Sequence, residues 1–171
     1  MTATAYERKI ADRFVEFVSK RDGEKCKLIP ADDPPDFLLM IGEKTTWLEL
    51  TDIYLSNEEA KFLSRREEKV FTFECGVDQL ALRLFQKLDQ KLSKLSYGRA
   101  AAEFGKGTLL LTCQHSALGE VDLAHVQEGI VNFVPSNDQN FFNVAYFEYW
   151  NPDGPRAYMP VYPSPNMLWT K

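Results

Sequence analysis

The chain is poor in the residues that build the commoner metal, redox and disulfide sites. Its three cysteines, Cys26, Cys75 and Cys113, stand far apart and form no CxxC pair. That excludes a disulfide framework or a thiolate zinc site and predicts reduced, mostly buried thiols. There are only two histidines, His115 and His125, and Cys113-Gln114-His115 reads as structural, at the end of a strand, rather than as a nucleophile pair. No stretch reaches the roughly 20 apolar residues of a membrane span. No apolar leader region opens the sequence either, so a cytoplasmic chain with no membrane partner is expected. An excess of basic residues is also lacking. The net charge of −5 and pI of about 5.1 argue against a protein that coats nucleic acid non-specifically, while leaving room for a local basic groove.

What is present is a folding core: 44% of the residues are hydrophobic and 13% aromatic, too many for a disordered chain. Repeats, low-complexity tracts and Gly/Ser linkers are absent, so residues 1–171 are expected to form a single domain. From about residue 151, Pro152, Pro155, Pro160, Pro163 and Pro165 predict an irregular tail anchored by Tyr158, Tyr162 and Trp169.

Apolar residues at helical spacing, Ile10, Phe14, Phe17 and Val18, predict an amphipathic helix over about 3–20 that ends at Asp22-Gly23. Glu7 falls on its core-facing stripe with Ala11, Phe14 and Val18, where it either favours the helix N-terminus or serves a site. Ser56-Asn57-Glu58-Glu59 reads as a helix start leading to a charged segment through Lys69, and Val70 to Glu74 as a short strand. A strong helix is expected from about Val77 to Leu95, with Leu80, Ala81, Leu84, Leu88, Leu92 and Leu95 buried. Arg83, Lys87, Gln90, Lys91 and Lys94 lie on its other side. Thr108 to Cys113 reads as a strand covered on both faces, Glu120 to Phe133 as a helix and Phe142 to Trp150 as the last clear strand. The order of helices and strands predicts a mixed α/β fold.

Two carboxylates interrupt otherwise apolar strands. Asp36 opens the run Phe37-Leu38-Leu39-Met40-Ile41 after Pro34-Pro35, and Glu49 sits inside Thr45-Thr46-Trp47-Leu48-Glu49-Leu50-Thr51-Asp52 beyond a Gly42-Glu43-Lys44 turn. A hairpin with a two-residue loop, whether Gly42-Glu43 or Glu43-Lys44, puts Asp36 on the same face as Glu49, because strand side chains alternate with period two. Cross-strand neighbours lie roughly 4.5–5.5 Å apart at Cβ, close enough for one cation to bridge both acids. Two such acids repel and lose hydration, so either a pKa rises or a positive partner is needed. Mg2+ or Mn2+ is one such partner. The alternative is structural, with Glu49 meeting a lysine or facing solvent.

With this hairpin and element order, the chain resembles the PD-(D/E)XK nuclease superfamily, whose restriction-endonuclease-like fold carries an αβββαβ core. Pro35-Asp36 matches its first motif element, Glu49-Leu50-Thr51 its second, and Glu7 the first-helix glutamate of many members. The resemblance covers roughly residues 5 to 115. It implies that Asp36, Glu49 and the Leu50 carbonyl hold Mg2+ or Mn2+ and that the partner is DNA, whose phosphodiester bonds are hydrolysed. Thr51 departs from the pattern, which has lysine there. Some members supply that charge from the following helix, where Lys91 and Lys94 are the leading candidates; Lys44, at the hairpin tip, is a poor one. A chain that has lost cleavage and serves as a nucleic-acid- or protein-binding regulatory module is the second reading. The aromatic tail would then offer a partner or homodimer surface.

Overall fold

The N-terminal amphipathic stripe folds as helix α1, Ala5–Asp22, in the computed structural model, which describes residues 4–31, 34–54, 77–117, 120–137, 139–150 and 155–163, with backbone alone for 77–78, 114–117 and 120–122. A reciprocal capping box starts α1: the Thr4 hydroxyl accepts from the Glu7 amide at 3.2 Å, and the Glu7 carboxylate accepts from the Thr4 amide at 2.6 Å. Gly23 ends it in the left-handed conformation at φ 70°, where a side chain would be strained. Ile10, Ala11, Phe14 and Val18 are its buried face.

Three strands follow as an antiparallel meander: β1 (Cys26–Pro30), β2 (Phe37–Ile41) and β3 (Lys44–Asp52). The hairpin forms with Ile41 opposite Lys44, so its loop is Gly42-Glu43. Strand β1 was not expected. It is a short edge strand in which only Leu28 is buried, too little for a periodic signal. The helix from Ser56 and the strand at 70–74 fall outside the described residues.

Helix α2 runs Val77–Leu92 and stops earlier than expected, because Leu95 is 66% exposed rather than the last residue of the buried stripe. A 3-10 turn, Leu95–Tyr97, leads directly into α3, Gly98–Phe104, and the chain continues as β4 (Gly107–Ala117), α4 (Glu120–Asn132) and β5 (Phe142–Trp150). The expected irregular tail requires correction. Arg156–Tyr162 forms a sixth strand, β6, antiparallel to β5 at the sheet edge. Pro160 is tolerated there because an edge strand has an unpaired side, and the register shifts between Ala145 and Tyr146 beside it. Tyr158 and Tyr162 do anchor this segment, through Glu148 and Asn140; Trp169 lies outside the described residues.

The sheet order is β1-β2-β3-β4-β5-β6, with β3, β4 and β5 parallel and the remaining neighbours antiparallel. Period two sorts the side chains into two cores. Phe37, Leu39, Leu48, Leu50, Leu110 and Tyr146 pack under α1, while Trp47, Leu109, Leu111 and Phe147 pack with the buried residues of α2, α3 and α4. The central strands are therefore covered on both sides, which explains their nearly continuous apolar sequence. Trp47 joins β3 to the start of β4. Its indole N–H donates to the Gly105 carbonyl at 2.8 Å, and a Cβ on Gly107 would stand 2.3 Å from the ring. Cys26 is half-buried and Cys113 buried. Among the described residues no helix is long and apolar enough to cross a membrane.

Candidate active site

The register that places Phe37 opposite Leu48 carries Asp36, one step before β2, across from Glu49. Both acids face α2. The Leu50 amide donates to Asp36 Oδ2 at 2.7 Å and so fixes that carboxyl against β3. Of Leu50, it is the amide that engages the pair directly, whereas the sequence motif points to its carbonyl. Burial pushes the Asp36 carboxyl up to about 7, and the neighbouring Glu49 and Glu7 charges add to the rise; the Leu50 N–H and Lys91 oppose it.

Glu49 is 3% exposed. Its Oε1 accepts two hydrogen bonds, from Lys91 Nζ at 2.8 Å and from the Tyr97 hydroxyl at 2.7 Å. Its Oε2 is buried with no hydrogen-bond partner. A buried carboxylate oxygen left unpaired costs about 1–3 kcal/mol, more when charged, so this atom is a ready ligand for a cation. The helix row that carries Lys91 explains its reach. Arg83, Lys87 and Lys91 recur every four residues along one line of α2; Arg83 donates to the Tyr54 carbonyl at 3.3 Å, just past β3, and Lys91 meets Glu49. Lys87 lies along the same row. Burial, with Lys91 and Lys94 nearby, lowers its pKa.

Of the residues singled out from sequence, Asp36, Glu49, Leu50 and Lys91 come together. Lys94 instead sits over the Tyr97 ring, its Nζ 5.2 Å from the centroid, and is exposed. Thr51 is buried on the face of Glu49, two residues further along β3. Glu7 serves as a helix cap, close enough to raise Asp36 through its charge. Tyr97 was missed. It is fully buried, stacked on Trp47 at 5.6 Å and edge-on to Phe142 at 5.0 Å. Its hydroxyl holds Glu49 while Lys91 and Lys94 lie over its ring. A tyrosine just beyond a leucine stripe carries no sequence mark of that role.

A second buried acid, Glu148 on β5, was also missed. Arg13 of α1 grips it with two bonds of 3.1 Å, Thr112 donates at 2.8 Å and Tyr158 at 2.9 Å. Burial would raise this carboxyl, yet those donors hold it below the usual range. It is saturated and lies on the α1 side of the sheet. Asp52, on the same side, is pushed up to about 6, chiefly by burial, against hydrogen bonds from Tyr54 and Tyr6.

Among the described residues, no third His, Cys, Asp or Glu completes a metal-binding group of three with Asp36 and Glu49. Two carboxylates do fit Mg2+ or Mn2+, which are commonly held by one or two and keep several waters. The buried, unpartnered Glu49 Oε2 and the raised Asp36 carboxyl are what such an ion would satisfy. No family model matches this chain, nor does any curated protein or solved structure.

Proposed function

We propose that this chain is a metal-dependent endonuclease of the PD-(D/E)XK type, acting on DNA phosphodiester bonds. The observation that carries the reading is the 2.8 Å contact between Lys91 and Glu49, which brings from α2 the positive charge missing at Thr51. The three-stranded meander behind α1, followed by a parallel fourth strand, supports the restriction-endonuclease-like core. Asp36 and Glu49 would hold Mg2+ or Mn2+, with the Leu50 carbonyl as the third oxygen expected from the motif. When bound, the ion supplies a water of lowered pKa and positive charge against the scissile phosphate. The chain's own residues do the rest. Lys91 presents an ammonium beside that phosphate as negative charge develops on it; Tyr97 and Glu49 fix its position; the Leu50 amide keeps Asp36 turned to the site.

One observation favours a second reading, a nuclease fold retained as a binding module. Lys91 and the raised Asp36 carboxyl already offset the acids' repulsion without a metal. Plasmid nicking in Mn2+ separates the two readings. The wild type is expected to nick DNA, Asp36→Ala to lose both nicking and metal binding, and Lys91→Met to bind Mn2+ while cleaving about 10²–10³-fold more slowly, the usual loss for one transition-state donor. Mn2+ binding with no cleavage by the wild type on any nucleic acid would select the binding module.

A further inference from the structure

We infer that the candidate active site takes an unpaired nucleotide, its base seated in the groove beside Asp36 and its phosphate held by Arg99, so that the substrate is single-stranded at the point of cleavage. This rests on the nuclease reading above and narrows its substrate.

A groove of about 490 Å3 lies between the segment leading into β2 and the start of α3. Its walls adjoin in sequence the residues of the acid pair's surroundings. Pro34 and Pro35, on one wall, immediately precede Asp36; Ser96 and Arg99, on the other, flank Tyr97, whose hydroxyl binds Glu49. Leu38, which shares the face of Asp36, lines the groove about 7 Å along β2 at the strand rise of roughly 3.3 Å per residue. The groove is thus the adjoining subsite along a chain whose phosphate reaches the acids. Its volume falls in the roughly 300–1,000 Å3 range of small-ligand clefts.

The lining is matched to one half of a nucleotide on each side. Pro34, Leu38 and Phe104, each half-buried, offer apolar surface on which a base can rest, with Phe104 the one aromatic ring of the lining; Pro35 and Ala100 are buried. Arg99 is exposed, lines the groove and forms no ion pair among the described residues. Glu103, the carboxylate in the lining, lies one turn further along α3, away from Tyr97. With Lys94 exposed over the Tyr97 ring and Lys87 on the row of Lys91, cations bracket the acid pair from Lys87 to Arg99. A base stacked within a duplex cannot enter such a groove, whereas an unpaired one can.

The test is fluorescence anisotropy on the full chain in Ca2+, which takes the same oxygen ligands. Three labelled probes of equal length are compared: oligothymidylate, the same strand without its bases, and a duplex. The groove predicts that oligothymidylate binds best and that removing the bases weakens binding about tenfold or more, as loss of base stacking does. Arg99→Ala is expected to weaken oligothymidylate binding and to lower the magnitude of its salt slope by about 0.7, the share of one phosphate contact on a single strand. Duplex bound as tightly as oligothymidylate, or a single strand indifferent to its bases or to Arg99→Ala, overturns this inference and leaves the nuclease reading standing. No binding of any probe overturns both.

Discussion

Asp36 and Glu49 show how one face of a hairpin brings two ordinary acids close enough to perturb each other. That the two acids share a face was legible in the sequence, because a two-residue loop and period-two alternation set it; that Lys91 rather than Lys94 meets Glu49 was not, because the sequence does not fix the rotation of α2 over the sheet. Nor was Tyr97, since its hydroxyl reaches Glu49 only once Leu95 turns outward and the chain bends into α3. The raised Asp36 carboxyl has a consequence for stability. Its folded-state pKa of about 7 lies above the ordinary 3.8, so the folded protein binds more protons than the unfolded chain between those values. Its penalty is absent below about pH 4, grows as pH rises and is complete above about pH 7. Asp36→Asn keeps an acceptor for the Leu50 amide and removes the charge. It is expected to raise Tm by a few degrees at pH 8 and to lose that gain near pH 4, by thermal melts across pH; a mutant less stable than wild type at pH 8 would contradict the burial argument.

At the scale of elements, Glu148 links α1, β4, β5 and β6 through Arg13, Thr112 and Tyr158. Its sequence signal, an acid inside an apolar strand, is the same as that of Glu49. The partner that distinguishes them is 135 residues away, so sequence spacing could not assign it. Strands β1 and β6 escaped for a related reason: as edges they bury few residues, and their pairing is set by neighbours rather than by local pattern. Glu148→Ala leaves Arg13, Thr112 and Tyr158 without their shared acceptor and is expected to cost about 3–5 kcal/mol in urea unfolding, as breaking a buried ion pair does. Because Glu148 faces α1, Mn2+ binding by the remaining folded protein should be unchanged. A loss under 1 kcal/mol would mean that α1 docks by its apolar face alone.

Across the whole molecule, two helical layers cover a six-stranded sheet, and the two buried acid groups lie on opposite sides of it. On the α1 side Glu148 is satisfied by protein donors, while Asp52 Oδ1 is, like Glu49 Oε2, buried without a hydrogen-bond partner. The α2 side keeps a buried carboxylate oxygen without a hydrogen-bond partner, beside a carboxyl that burial and like charge hold partly protonated. What sets the α2 side apart, despite a net charge of −5, is the positive charge of Lys87, Lys91, Lys94 and Arg99 around its acid pair, and the proposed nuclease site lies there. The most direct measurement is calorimetric titration of Mn2+ into the wild type, Asp36→Ala and Asp52→Asn. Binding by the wild type and by Asp52→Asn, with none by Asp36→Ala, is the expected result. No binding by the wild type, or binding that survives Asp36→Ala, would contradict a metal site between β2 and β3 and leave Asp36 and Glu49 as structural acids.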